Sequence, residues 1–298
     1  MDKNTISRLT TISFHQTMET MNCQHQPISS PDNLSASGVR KHCQNKCFGH
    51  VHFVHKDKTD STNDDARKLI LEGAPHGTLV VAETQTKGRG RHNRNWTSPT
   101  NAGIYTSLIL RPQRPLQKAT LLSLVTAIAT VEAITQTTHA KPQIKWPNDI
   151  LLHQHKIAGI LTETEILPDK DYALIIGLGI NVNTPFAALP KRILFPSSSI
   201  QRETGHSVSR ALLLAKWLER MEIWYQKWEN KKAADILGHW HEYAYGLGKA
   251  LSIQQEGKTI TGIMQGIAED GSLILQGPTG EIVRITAGDV TATRFDQG

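Results

Sequence analysis

Apolar and polar positions along this chain follow two periods, and the switches between them mark the elements. His50-Val51-His52-Phe53-Val54-His55 alternates with period two, as a half-buried strand does. The next segment opens on Ser61 or Thr62 as a cap. Asp64 and Asp65 suit the positive end of a helix dipole, Ala66, Leu69 and Ile70 form a buried face, and Gly73 ends the helix. Residues 77–83 and 103–110 read as strands, and 116–137 as a long helix apolar on most sides, packed across a sheet. Ile150-Leu151-Leu152 and Lys156 to Leu161 flank a short polar turn and predict a hairpin; residues 172–177 and 179–182 continue the core strands. Residues 207–228 predict a second helix in which Leu214, Trp217, Leu218, Met221, Trp224, Tyr225 and Trp228 recur at three- and four-residue steps, a pattern of core packing. Beyond Tyr245, short strands at 251–253, 258–267, 272–276 and 281–285, separated by glycine-bearing turns, predict a small C-terminal barrel. The fold class is α/β (α+β).

The first 49 residues lack a sustained apolar period and read as a flexible tail, leaving 50–245 as the main domain and 246–298 as the barrel. No winged helix is legible there. The three cysteines, Cys23, Cys43 and Cys47, all lie in this tail, so a disulfide scaffold is excluded and a reducing, cytoplasmic setting is expected. His42, Cys43, Cys47 and His50 have a spacing that could hold zinc, without a surrounding fold signature. The most apolar run, Leu121 to Ile134, is interrupted by polar residues and too short to span a membrane. A net charge of +6 over 298 residues suits an anionic partner without choosing among nucleic acid, nucleotide and acidic protein.

Four clusters narrow that choice. Lys87-Gly88-Arg89-Gly90-Arg91-His92-Asn93-Arg94-Asn95-Trp96 follows a strand and combines two glycines with three arginines. Such a loop is either solvated basic surface or a phosphate cradle, its backbone N–H groups and guanidinium forks meeting anionic oxygens. Lys145-Trp146-Pro147-Asn148-Asp149 forms a rigid turn at a strand end, either structural or displaying a lysine, an amide and a carboxylate to phosphate and Mg²⁺. Lys156 opens an otherwise apolar strand in which Gly159 leaves room for something to approach the backbone. Ser61-Thr62-Asn63 completes the set.

Together these pieces resemble the biotin protein ligases, in the family's order: Asp60 to Asn63, Gln85 with Gly88 to Trp96, Lys145 to Asp149, Lys156 to Ile160, and Gly177-Leu178-Gly179-Ile180-Asn181. The resemblance runs from about His50 to the C-terminus. It implies a mixed-sheet catalytic domain of the biotin/lipoate ligase type with an SH3-like C-terminal barrel. It also implies activation of biotin by ATP with Mg²⁺, then transfer to a lysine of a biotin carboxyl carrier protein domain of a biotin-dependent carboxylase. By the same resemblance Ser61, Thr62, Asn63 and Gln85 hold biotin, while Arg89, Gly90 and Arg91 wrap the carboxylate and adenylate. Arg94 and Lys145 meet ATP phosphates, and Asn148 and Asp149 organise Mg²⁺ and nucleotide. Lys156 bridges the carboxylate and α-phosphate, with Lys145 and Arg91 as its catalytic companions; Gly159 and Asn181 line the cofactor site. Trp96 either stacks near adenine or closes the loop.

Asn93 stands where the family usually has glycine, and asparagine tolerates the left-handed backbone that glycine there suggests. The resemblance points to a ligase without an N-terminal DNA-binding domain, so no DNA and no membrane partner are expected, and a homodimer through exposed sheet edges stays open. A lipoate-type ligase on the same fold and a nucleic-acid-binding regulator are the alternatives.

Overall fold

The computed structural model describes residues 32–44, 46–168, 171–190, 195–255 and 257–294. A seven-stranded sheet forms its centre, in the order β1-β2-β3-β7-β6-β5-β4. Its strands are β1 (Phe53–Lys56), β2 (Leu79–Ala82), β3 (Ile104–Leu110), β4 (Gln143–Lys145), β5 (Asp149–Leu152), β6 (His155–Ile166) and β7 (Tyr172–Ile180). Only β1 and β2 run parallel; the other neighbours are antiparallel, so the sheet is mixed as expected. The β5–β6 hairpin turns on His153 and Gln154, both at positive φ (48° and 66°), as a two-residue loop of that hand requires.

Helices cover both faces, which is why β2 and β3 are buried along their whole length. On one face α2 (Thr62–Leu71) packs Ala66 and Ile70 against Val80, Ile109, Ala173 and Ile175. On the other, α3 (Leu121–Thr138) and α5 (Arg210–Glu229) meet Leu79, Val81, Leu108, Leu110, Leu174 and Ile176. The alternation of these residues between two cores is the period of two made visible. α3 is long and apolar enough to cross a membrane by composition, but 72% of it is buried inside the fold. The α5 stripe is core: Trp217 and Trp228 are fully buried, and Trp224 donates through Nε1 to Glu132 at 2.9 Å.

The expected tail is corrected over 32–49; Met1 to Pro31 lies outside the described residues. Ala36–Arg40 forms a short helix, α1, capped by Ser35, and Leu34, Val39 and Phe48 are buried in the core. The physical reason is electrostatic docking, which no apolar period reveals. Asp32 accepts from the Arg210 and Ala211 backbone N–H groups at the start of α5, at 2.8 and 3.1 Å. It also pairs with buried Arg210 Nε at 3.1 Å. Glu222 accepts from the Cys47 and Phe48 N–H groups, and Glu219 from that of Gln44. No metal-ligating cluster occurs among the described residues, so the zinc spacing closes on nothing. Burial pushes the Cys43 thiol up to about 11, an inert rather than a ligating state.

Two further helices, α4 (Ile200–Thr204) and α6 (Ala233–Tyr243), lead to a five-stranded antiparallel sheet. It comprises β8 (Ala250–Gln255), β9 (Lys258–Ile267), β10 (Leu273–Gln276), β11 (Ile282–Ile285) and β12 (Asp289–Arg294), in the order β11-β10-β9-β8-β12. Leu251, Ile253, Met264, Leu273 and Leu275 join the same apolar core as α3. Trp146 donates through Nε1 to Gly271 O at 3.1 Å and ties the rigid turn of the central domain to this sheet.

Candidate active site

The α2 face of the large sheet loses its side chains where β6 and β7 carry glycine. Gly159 pairs with Gly179, while Gly177 faces Leu161 on β6 and Ser107 on β3. A trough opens there, lined also by the start of α2, the basic loop and the turn after β4. The cleft holds about 600 Å³ and is lined by every sequence-predicted site residue: Ser61, Thr62, Asn63, Gln85, Arg89, Gly90, Arg91, Arg94, Trp96, Lys145, Asn148, Asp149, Lys156, Gly159 and Asn181.

One end of the trough is neutral and closely hydrogen-bonded. Ser107 Oγ lies 2.8 Å from Thr62 Oγ1 and 2.5 Å from Asn63 Oδ1. Thr62 donates from its N–H and its hydroxyl to Gln85 Oε1, at 2.8 and 3.1 Å, so the first turn of α2 is held by Gln85 rather than by a Ser61 side-chain cap. Gln85 Nε2 donates onward to Ser98 Oγ at 3.1 Å. Asn63 sits directly on Gly177, where an added Cβ would come within 2.4 Å of Oδ1.

The other end is cationic. Lys156 Nζ lies 2.5 Å from Asp149 Oδ1, and Lys145 Nζ lies 3.4 Å from Asp149 Oδ2. Burial pushes the Asp149 carboxyl up, yet the two lysines outweigh it and hold it below the usual carboxylate range. Burial lowers Lys145, against the pull of Asp149. Its ammonium also sits 4.4 Å from the centre of the Phe195 ring, a cation–π contact. Two ammonium groups on one carboxylate leave an excess positive charge in a half-dry site, which favours an arriving anion.

The basic loop folds over this end. Asn93 is at φ 55°, so asparagine adopts the left-handed conformation the sequence predicts, and His92 beside it is also at φ 55°. Trp96 reaches from the loop to the floor of the cleft. Its ring lies on the glycine floor, where a Cβ on Gly179 would approach it to 2.4 Å and one on Gly159 to 3.0 Å. The space at Gly159 accommodates the indole. Lys156 Nζ lies 5.4 Å from the same ring.

The arginines divide unevenly. Arg89 is bidentate on Asp64, at 2.6 and 2.7 Å, and this pairing holds the Asp64 carboxyl below its usual range. Arg89 thus fastens the loop to α2 instead of pointing a free fork at the cationic end. Among the described residues Arg91 has only long contacts, to Gly288 O at 3.4 Å, Asn148 Oδ1 at 3.5 Å and Asp289 Oδ1 at 3.7 Å, which leaves it available to a better acceptor. Arg94 pairs with Asp289. Asn181 donates to Ser198 O at 3.1 Å and shapes the wall.

Two matches to family models fall on these elements. Residues 56–181 match the Biotin/lipoate A/B protein ligase family, and 246–291 match the Biotin protein ligase C terminal domain. A bifunctional ligase/repressor of Bacillus subtilis is 36% identical over 88% of this chain and 80% of its own length. A biotin–[acetyl-CoA-carboxylase] ligase of Paracoccus denitrificans is 36% identical over 76% of this chain and 95% of its own. The structure of an Aquifex aeolicus biotin protein ligase in complex with biotin and ATP superimposes with a TM-score of 0.69. It is 30% identical and covers 82% of this chain and 98% of its own.

The chain belongs to the biotin protein ligase family.

Several residues that line this biotin protein ligase's cleft, or hold its lining in place, carry little signal in the sequence. Ser107 and Glu163 are polar positions inside apolar or alternating strands, a signal that was available. Asp64 reads as a helix-dipole residue and Asp289 carries no signal of its own; only the fold brings them to the arginines. Phe195 follows residues that carry no period.

Proposed function

We propose that this ligase activates biotin with ATP to biotinyl-5′-AMP and transfers biotin to a lysine of a biotin carboxyl carrier domain. The observation that carries this reading is the two-ended cleft: a neutral hydrogen-bonding end at Thr62, Asn63, Gln85 and Ser107, continuous with the Lys145–Asp149–Lys156 cluster under the arginine loop. A ureido ring, which has both donors and an acceptor, suits the first end; a carboxylate meeting a triphosphate suits the second.

In the first step a biotin carboxylate oxygen attacks the α-phosphorus, the bond to the bridging oxygen breaks, and pyrophosphate leaves with that electron pair. Lys156 stabilises the negative charge that grows on the α-phosphate while screening the incoming carboxylate from it, and Lys145 with Arg91 and Arg94 holds the phosphates. Asp149 keeps both lysines aimed until the nucleotide arrives. In the second step the neutral carrier amine attacks the acyl carbon, the acyl–phosphate oxygen bond breaks, and AMP leaves while the ammonium proton passes to solvent. Arg91 and the closed loop retain the adenylate between the steps.

Mg²⁺ would supply charge neutralisation on the triphosphate. Asn148 and Asp149 offer it oxygen atoms, but both Asp149 oxygens engage ammonium groups, so they fit an ion carried in by the nucleotide rather than a standing site. The test mixes protein, biotin, MgATP and a carrier domain and reads covalent biotin, with lipoate in parallel; labelling by lipoate alone overturns the reading. The names of the Bacillus relatives favour a second role as a repressor. We read the chain as a ligase only, and a salt titration against duplex DNA discriminates, since sequence-specific binding that falls steeply with salt overturns that part.

A further inference from the structure

Asn63 cannot choose its amide orientation alone. Its two neighbours in the trough are a hydroxyl, which donates or accepts, and the Gly177 backbone beneath it. The orientation is set by Glu163, on β6 two positions beyond Leu161 on the same face of the sheet. Glu163 Oε2 accepts from Asn63 Nδ2 at 2.6 Å, and a carboxylate can only accept, so nitrogen must face it. Oδ1 is thereby turned to Ser107 Oγ, 2.5 Å away, and the Ser107 hydroxyl must be its donor. The single Ser107 proton is then committed to Asn63 rather than to Thr62 Oγ1, and Thr62 meets Gln85 Oε1 through its own N–H and hydroxyl. One carboxylate thus fixes the orientation of the Asn63 amide and, through it, of the Ser107 hydroxyl. An amide carries two N–H donors and two acceptor lone pairs; one of each is committed here, which leaves Asn63 one donor and one acceptor for a ligand.

The same carboxylate is held on its far side by arginines. Arg67 Nη2 lies 3.5 Å from Glu163 Oε1, and Arg89 Nη2 lies 3.6 Å from Oε2. Arg89 belongs to the basic loop and is clamped on Asp64, the residue next to Asn63. Glu163 is therefore the point where the loop and the neutral end of the cleft share one charge.

We propose that Glu163 is a positioning residue for biotin recognition, orienting the Asn63 amide toward the ureido group. The proposal rests on the reading of the cleft as a biotin site. Its role is to accept, so Glu163→Gln keeps an acceptor oxygen for Asn63 while Glu163→Ala removes it and leaves a buried amide donor unpaired. The experiment measures biotin affinity, the KM for biotin and for ATP, and Tm for the wild type and both variants. Expected for Glu163→Ala is a biotin KM raised about tenfold or more at nearly unchanged ATP KM, and for Glu163→Gln a biotin KM within about threefold of wild type. Equal biotin KM values in wild type and Glu163→Ala, or equal losses in the two variants accompanied by a common drop in Tm, overturn the proposal. Absence of biotin binding by the wild type instead overturns the biotin reading itself.

Discussion

Lys156 Nζ and Asp149 Oδ1 lie 2.5 Å apart, at the hinge between the turn after β4 and the start of β6. The register explains the meeting. Asp149 pairs with Gly159 across the β5–β6 hairpin, and Lys156 lies three residues back, beside a register shift between Ile150 and Leu151. A lysine at the mouth of an apolar strand is costly without a partner, and the carboxylate supplies one while leaving Lys145 in contact with the same group. On the proposed mechanism the pair is a holding state for a cation that acts on the α-phosphate.

Removing that cation removes charge where the reaction develops it. Lys156→Ala is expected to lower biotin-dependent ATP–pyrophosphate exchange by about 10²–10³, the range for losing one preorganised donor at a developing anion. Exchange near the wild-type rate, in a protein of unchanged Tm, would remove Lys156 from the reacting centre.

The pH response of the same cluster has a definite sign. Asp149 titrates lower in the folded protein than in the unfolded chain because Lys156 and Lys145 outweigh its burial. Its stabilising contribution is therefore complete above the unfolded value of about 3.9 and disappears as pH falls through the folded value. Asp149→Asn leaves the buried Lys145 ammonium and the partly exposed Lys156 ammonium uncompensated, a loss of up to about 3–5 kcal/mol at neutral pH. The Tm gap between wild type and Asp149→Asn should be widest near pH 7 and close under strong acid; a gap independent of pH would contradict the assignment.

How far the site could be read in advance follows from which interactions are local. The phosphate-side residues sit in short runs, Gly88 to Trp96 and Lys145 to Asp149, where glycine, proline and charge are unusual enough to stand out. The mixed core was legible because Ile109 and Ile175 alternate with Leu108 and Ile176 in strands covered on both faces. What stayed hidden depends on distant segments meeting. Arg89 meets Asp64, 25 residues earlier, and Gly159 meets the Trp96 ring; neither pairing has a local signal. Residues 32–49 read as a tail because carboxylates on α5 rather than an apolar stripe hold much of their backbone.

Glycines separate the two ends of the cleft experimentally. A Cβ on Gly177 would press Asn63 Oδ1 at 2.4 Å, whereas one on Gly179 would press the Trp96 ring at the same distance. Gly177→Ala should raise the biotin KM by roughly tenfold through overpacking, with the ATP KM little changed. Gly179→Ala should instead lift the indole and speed tryptic cleavage within residues 88–96. Identical kinetic and proteolytic behaviour of the two variants would show that the ends are not distinct.

Asp289 joins the C-terminal sheet to the loop through Arg94 and, more loosely, Arg91. Arg94 is more than half exposed, so the link is of the weak, screened kind. Asp289→Ala is expected to leave adenylate formation intact but to speed release of biotinyl-AMP roughly two- to fivefold. Raising the salt concentration should bring the wild type toward the variant. Unchanged release in the variant would show that the sheet does not latch the loop.

Phe48 tests whether the N-terminal segment belongs to the fold. Its ring is 1% exposed and lies 5.4 Å from the His76 ring and 5.6 Å from that of Tyr225. It lies on the far side of the sheet from the trough, among residues of the α3–α5 core. Phe48→Ala should cost about 3–5 kcal/mol, the range for emptying a buried aromatic site, and lower Tm accordingly. Because it packs in the α3–α5 core, the biotin and ATP KM values at low temperature should match the wild type. A truncation ending at residue 49 removes Asp32 as well, leaving buried Arg210 with Glu83 as its remaining ionic partner, and should destabilise further. An unchanged Tm in Phe48→Ala would return residues 32–49 to the status of a loosely attached tail.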